Sequence, residues 1–282
     1  MTIVKIAMDI DRIEEVRKGS VVGRKVVMFK STASTNDIAW EHASNPAHHG
    51  LCVLAETQTQ GRGRRGRSWQ SRPGESLLCS LLLIDQPIEA ELLTLTAAVA
   101  TAEAISGLCG LNVSIKWPND VLAAGKKLAG ILVEKRTVKG RTCFVVGVGV
   151  NCNQEAAAFE GHAMRTPPTS IRLETGASID RTMLACELMA AFEDWLAKAD
   201  VRSSSFSLSA TKHAKACTPN PVIQRWMQLS ALLGRHLTVE CNNHTFRGSC
   251  RGVDPAEGLM VQLESGAVRV FDAAHTSILS VE

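Results

Sequence analysis

The chain has 282 residues, 45% hydrophobic and 21% charged, which excludes a disordered or fibrous polypeptide and is enough to bury a sizeable core. A formal net charge of +3 excludes binding to nucleic acid through overall charge, so no DNA partner is expected. At this length one large domain and one small one are expected.

In chain order, Met1 to Gly23 predicts one short helix and a turn. That is too short for a DNA-binding helix-turn-helix domain, which needs about 60 residues for its own core. Met1 to Glu15 carries Lys5, Asp9, Asp11 and Arg12 and no long apolar run, so no signal peptide is expected. Val26 to Phe29 predicts a strand. Ser34 opens a helix through Ala43, and Asp37 stands three residues on, close to a capping box. Leu51 to Ala55 is a second strand, leading into the run Gly61-Arg62-Gly63-Arg64-Arg65-Gly66-Arg67. Leu77 to Ile84, the strongest apolar run, is far too short to span a membrane and predicts a buried strand.

Glu91 to Leu108 predicts a long Ala/Leu-rich helix closed by Gly107 and Gly110. Val113 to Trp117 alternates as a half-buried strand does, and Pro118-Asn119-Asp120 is a turn. Lys127 to Glu134 and Thr142 to Val150 predict two strands joined across Lys139-Gly140. Asn153 to Pro168 is loop-like. Leu184, Leu188, Phe192, Trp195 and Leu196 form an apolar helical stripe suited to core packing. Ser203 to Ser205 marks another loop, and a last helix runs from Val222 to Leu233. From His236 the texture changes to short alternating segments, Leu237 to Cys241, Leu259 to Leu263, Val268 to Val270 and Ile278, parted by turns at Asn242-Asn243 and Ser265-Gly266. The expected fold is α+β with a small all-β barrel or sandwich at the end.

Nine cysteines occur and none falls in a CxxC pair, which suits free thiols in a reducing cytosol. Cys79, Cys143 and Cys186 sit in apolar stretches and read as small core hydrophobes. A cytoplasmic protein without a membrane partner is therefore expected.

The glycine–arginine run is the chemically richest segment. Its glycines permit tight turns and close approach to a ligand, and its arginines supply planar, permanently charged donors for carboxylate and phosphate. Such a loop should repel itself when empty and order on an anion. A solvated basic loop or a nucleic-acid contact is the plainer alternative, but this run lies between two predicted strands, with Trp69 close behind. No P-loop pattern occurs, and Gly147-Val148-Gly149 lacks a third glycine.

Glu56 to Trp69, read as ETQTQGRGRRGRSW, resembles the biotin loop of bacterial biotin–protein ligases. Ser34-Thr35-Asn36, Lys116-Trp117-Pro118-Asn119-Asp120, Lys127 to Glu134 (KLAGILVE) and Gly147 to Asn151 (GVGVN) resemble that family's other motifs, in order. The resemblance is strong from Phe29 to Asn153 and weaker through Thr169-Ser170-Ile171 and the C-terminal segment. It implies a class II aminoacyl-tRNA synthetase-like catalytic domain over 1–233, with a short N-terminal extension at 1–23, and an SH3-like barrel over 234–282. The form implied lacks the N-terminal DNA-binding domain of repressor-type members.

The implied activity is ATP-dependent conversion of biotin to biotinyl-5′-AMP, then transfer to a lysine of a biotin carboxyl carrier protein. Biotin, ATP and Mg2+ are the implied ligands, the metal's protein ligands being unassigned, and a homodimer is a family habit. The resemblance assigns Ser34, Thr35, Asn36, Gln58, Gly61, Arg62, Gly63, Arg64, Lys127 and Gly130 to biotin. Arg62, Arg64 and Lys127 are the implied catalytic cations, and Trp69, Asn119 and Asn151 the implied adenylate contacts. Trp117 and Pro118 are expected to shape their turn. Tyr is absent from the chain, so an aromatic hydroxyl that some relatives place at the biotin pocket must be replaced, with Leu77 or Leu78 the candidates. A lipoate or octanoate ligase or transferase of the same fold is the alternative.

Overall fold

The computed structural model describes residues 8–161, 165–199 and 220–282. The loop expected at Ser203 to Ser205 lies outside them. The larger sheet is built from β1 (Val26–Phe29), β2 (Cys52–Ala55), β3 (Ser76–Ile84), β4 (Val113–Lys116), β5 (Asp120–Ala123), β6 (Lys126–Val138) and β7 (Arg141–Asn151). Their spatial order is β1-β2-β3-β7-β6-β5-β4. Only β1 and β2 pair in parallel, so the sheet is mixed.

Every residue of β3 is buried, which is why its sequence reads as a continuous apolar run. Successive side chains of a strand point to opposite faces. Leu77, Cys79, Leu81 and Leu83 join one core cluster with α3 (Ala90–Cys109) and α5 (Arg181–Ala199). Leu82 and Ile84 join a second cluster with Ala39 and Trp40 of α2 (Thr35–His42). β7 follows the same rule, with Phe144, Val146, Val148 and Val150 on the first face and Cys143 and Val145 on the second. Beyond Val145 the second face of β7 carries Gly147 and Gly149, and the neighbouring β6 carries Gly130 opposite Gly149. The sheet is therefore thick with side chains under α3 and nearly bare beyond α2.

The helix α3 is long and apolar enough to cross a membrane. Two-thirds of that stretch is buried within the fold, packed on α5 and on β4–β6. It is a core helix of this protein.

Shorter helices complete the first unit: α1 (Ile10–Val16), α4 (Ile171–Thr175) and α6 (Pro221–Leu229). The expected N-terminal helix forms with Asp9 as its cap, accepting from the Arg12 amide. The last helix stops at Leu229, not Leu233. Ser230 turns extended there, and its hydroxyl accepts from the Leu232 and Leu233 amides. β5 was not expected: Asp120 ends the Pro118–Asp120 turn and at once begins pairing, with Lys116 across from it.

Five strands make the second, antiparallel sheet: β8 (His236–Cys241), β9 (His244–Asp254), β10 (Gly258–Leu263), β11 (Val268–Phe271) and β12 (Thr276–Val281), ordered β11-β10-β9-β8-β12. The α+β reading with a terminal β unit holds. Asn242 and Asn243 both take left-handed backbone at the β8–β9 turn, as short hairpins require.

Candidate active site

A cleft of about 1120 Å³ opens on the bare stretch of the larger sheet. Ser34, Thr35, Asn36, Gln58, Arg62, Gly63, Arg64, Trp69, Asn119, Lys127, Gly130 and Asn151 all line it. Of the residues assigned from the sequence, Gly61 alone is not part of the lining. Its role is steric: a side chain there would meet the Trp69 carbonyl at 2.3 Å.

The floor is flat because three glycines face it. A Cβ on Gly149 would sit 2.6 Å from the Trp69 indole, one on Gly130 3.1 Å from the same ring, and one on Gly147 2.5 Å from Asn36 Oδ1. Trp69 thus lies directly on backbone, with the Lys127 ammonium 5.8 Å from its ring centre. Trp117 and Pro118 line the cleft as well as shaping their turn.

At the α2 end the polar groups form one network. Gln58 Oε1 accepts from the Thr35 amide at 2.7 Å and lies 3.0 Å from the Thr35 hydroxyl. Ser80 Oγ lies 2.7 Å from that hydroxyl and 2.6 Å from Asn36 Oδ1. Asn36 Nδ2 donates to Glu134 Oε2 at 3.0 Å, where the Trp40 indole also donates at 2.9 Å. These contacts fix both amides, with Gln58 Oε1 and Asn36 Oδ1 as acceptors. Three oxygen–oxygen contacts then share two hydroxyl protons, so one contact always lacks a hydrogen.

Ser34 is buried beside this network, and its hydroxyl makes no cap bond. The capping box expected with Asp37 does not form, because Asp37 is bound elsewhere. Both its oxygens accept from Arg62, each at 2.7 Å, and Glu134 stands 3.5 Å from the same guanidinium. The hydrogen bonds from Arg62 hold the Asp37 carboxyl below its ordinary range. Leu78 lines the cleft and Leu77 does not, as strand alternation requires.

The glycine–arginine loop corrects a second expectation. Three of its four arginines, Arg62, Arg64 and Arg65, are partnered rather than mutually repelled and free. Arg62 holds Asp37. Arg64 donates to Asn119 Oδ1 at 3.4 Å and to the Ala273 carbonyl at 2.5 Å. Arg65 reaches the Thr276 carbonyl and the Ser277 hydroxyl. Gly63 is extended and open, whereas Gly66 takes φ +71°, so the backbone demands glycine at 66 more than at 63.

Lys127 forms an ion pair with Asp120 at 2.6 Å. Burial lowers the Lys116 ammonium, with Arg165, Lys127 and Arg67 adding repulsion and Asp120 alone opposing it. Burial likewise lowers the Arg64 guanidinium, which Asp120 counters. Cations of three separate segments, Arg64, Lys116 and Lys127, thus act on Asp120, with Glu91 also countering Arg64 and with Arg67 and Arg165 nearby, which leaves room for an anion. Asn119 Nδ2 donates to the Ile131 carbonyl, and Asn151 is held between the Thr169 carbonyl and Gln154. Those two amides order the wall as well as line it.

Ser80, Glu134, Asp120, Gln154 and the segment Thr276–Ile278 were missed from the sequence. Asp120 and Glu134 lie inside quoted motifs, and their spacing to Lys127 was the signal. Ser80 sits in an apolar run where a lone hydroxyl was the only cue.

A family model described as the biotin/lipoate A/B protein ligase family matches residues 28–151. The chain is 33% identical over 247 residues to the biotin–[acetyl-CoA-carboxylase] ligase of Paracoccus denitrificans, covering 85% of this chain and 95% of that protein. It is 31% identical over 259 residues to the bifunctional ligase/repressor BirA of Bacillus spizizenii, covering 91% of this chain and 75% of that one. Its fold matches that of biotin protein ligase from Aquifex aeolicus, solved with biotin and ATP, at a TM-score of 0.72 and 22% identity over 90% of this chain and 98% of that one. With that cleft, the same motifs in the same order and a relative matched over nearly its whole length, the chain belongs to the biotin–protein ligases of the biotin/lipoate A/B protein ligase family.

Proposed function

We propose that the protein activates biotin with ATP to biotinyl-5′-adenylate and passes the biotinyl group to a lysine of a biotin carboxyl carrier protein. The polar network of Gln58, Thr35, Ser80 and Asn36 at one end of the cleft, with the cations Arg62, Arg64 and Lys127 farther along it, carries this reading. A ureido ring brings N–H and C=O groups that can exchange hydrogen bonds with these amides and hydroxyls, whereas the dithiolane of lipoate brings no hydrogen-bonding group to meet them. The biotin reading is therefore favoured over lipoate or octanoate.

Biotin would lie from Ser34, Thr35, Asn36 and Gln58 toward Gly130, with Arg62, Gly63 and Arg64 closing over its carboxylate. In the first step a carboxylate oxygen attacks the α-phosphorus of ATP and pyrophosphate leaves. Two anions meet there, so Arg62, Arg64 and Lys127 supply the opposing charge, with Lys116, Arg67 and Arg165 beside them. Lys127 must exchange Asp120 for the ligand or share it. Trp69, Asn119 and Asn151 would wall the adenylate. In the second step the neutral amine of the carrier lysine attacks the acyl carbon and AMP leaves, in a cleft the loop keeps dry.

Among the described residues no group of three or more His, Cys, Asp and Glu side chains gathers to hold a metal. Asp120 and Glu75 are the carboxylates of the described lining. That donor set fits Mg2+ held chiefly by the nucleotide's phosphates: Asp120 is the side chain that would hold it, and the ion would supply charge neutralisation for the leaving group. The domain reading goes with the same proposal: a synthetase-like catalytic unit over 1–233 and an SH3-like unit over 234–282.

The test is biotin-dependent exchange of labelled pyrophosphate into ATP, followed by labelling of a carrier domain. Exchange with biotin and none with lipoate is expected. Exchange with lipoate alone would overturn the assignment.

A further inference from the structure

The outermost strand of the second sheet has one unpaired edge. Among the described residues β12 pairs with β8 alone, so alternate carbonyls point away from the sheet. Thr276 and Ile278 are two apart and share that direction. Arginines of the larger unit meet them: Arg65 Nη1 donates to Thr276 O at 3.5 Å and Arg165 Nη1 to Ile278 O at 3.0 Å. Arg64 Nη2 donates to Ala273 O, in the turn before β12, at 2.5 Å, and Arg65 also donates to Ser277 Oγ. Two of the four loop arginines are thus bound to the C-terminal sheet, and a third tie runs from the opposite wall of the cleft.

The loop backbone adds an independent sign. Arg65 takes φ +57°, ψ +43°, a left-handed conformation that side-chain-bearing residues rarely adopt. Such a residue persists where its surroundings over-determine it. The tie to Thr276 and Ser277 is what holds this one.

We propose that the free edge of β12 is the latch of the glycine–arginine loop, with Arg65 and Ser277 as positioning residues that keep the loop closed over the activated acyl group. Neither touches the reacting atoms. Closing the loop gathers like charges in one short segment, and the C-terminal sheet offsets that cost with ready-made acceptors. The consequence for the intermediate rests on the adenylate-forming reading; the latch itself concerns only the loop.

Trypsin reads the latch directly, because the loop offers cleavage sites after Arg62, Arg64, Arg65 and Arg67. Ser277→Ala leaves all four in place. Nicking of its loop should rise at least about fivefold, while cleavage at Arg251, away from the loop, stays at the wild-type rate. AMP release without an acceptor, the leak of the intermediate, should rise by a similar factor, and pyrophosphate exchange should change by less than about twofold. Arg65→Ala should leak likewise, and Ser277→Thr, which keeps the hydroxyl, should restore retention. Loop nicking of Ser277→Ala within about twofold of wild type, or equal acceleration at Arg251, would overturn the latch. Absence of any biotin-dependent exchange in the wild type would instead remove the functional reading, and the nicking comparison would still decide the latch.

Discussion

Ser80 is one hydroxyl in a strand of apolar side chains, yet it decides how the pocket end is wired. It touches both Thr35 and Asn36, and through them Gln58 and Glu134. Replacing it by alanine removes one of two shared protons and leaves Asn36 Oδ1 without its donor. A buried acceptor so stranded costs about 1–3 kcal/mol. Ser80→Ala should therefore lower the stability of the fold by about 1–3 kcal/mol, measured by denaturant melts. An unchanged stability would mean that Asn36 Oδ1 finds another donor. The motif residues of this site were legible because each carries a group with obvious chemistry in a recurring order. Ser80 was not, because in a run such as Leu78-Cys79-Ser80-Leu81 the direction a side chain faces depends on strand register and not on composition. The partners of the loop arginines were hidden for a related reason: Thr276 and Ser277 lie over 200 residues away, and Ala273 and Thr276 accept through backbone carbonyls.

Among the elements, strands bounded by clear turns were read nearly to the residue, as at Val26–Phe29. β9 escaped because Gly248, Gly252 and a register shift opposite Met260/Val261 break its alternation. The join between elements also depends on pairing that sequence does not display. Arg181, the first residue of α5, is buried against the half-buried Glu56, just past the end of β2, and donates to both its oxygens at 3.0 and 3.1 Å and to the Ser76 carbonyl that starts β3. Burial alone would raise the Glu56 carboxyl. The Arg181 guanidinium and the Gly74 amide outweigh it, so the folded pKa lies below the ordinary 4.5. A depressed carboxyl stabilises the fold above the unfolded value, and that stability disappears as pH falls through the folded value. Glu56→Gln leaves Arg181 buried without its counter-charge and should cost about 3 kcal/mol at pH 7. Denaturant melts of the two proteins should converge as pH drops below the ordinary carboxylate range. A pH-independent gap would show that the pair is not what ties α5 to the sheet.

The whole molecule combines a boundary that sequence texture shows clearly with a core that ignores it. The alternating pattern begins at His236, and the second sheet is a separate sheet. Yet Leu237, Val239, Leu259, Val261 and Phe271 belong to the same buried cluster as Leu93, Ile115 and Trp226. The Ala231 amide donates to the Ile115 carbonyl at the junction, α6 packs on β9, and arginines of the loop reach β12. Topology divides the chain near residue 233, but apolar burial, which supplies most of the stability, does not. Cooperative units follow contiguous buried contacts rather than changes in sequence texture. Calorimetry of the full chain should therefore give one transition. Leu259→Ala, a fully buried truncation in the second sheet, should cost about 3 kcal/mol and lower that single transition by about 6–12 °C. Two resolved transitions, with only the smaller one moved by Leu259→Ala, would make the C-terminal sheet an independent domain. The latch at β12 would then have to work between two bodies that melt apart, and loop closure would fail at a temperature at which the biotin pocket is still intact. A single transition makes loop, pocket and C-terminal sheet lose their order together, so that the enzyme is not left making an intermediate it cannot hold.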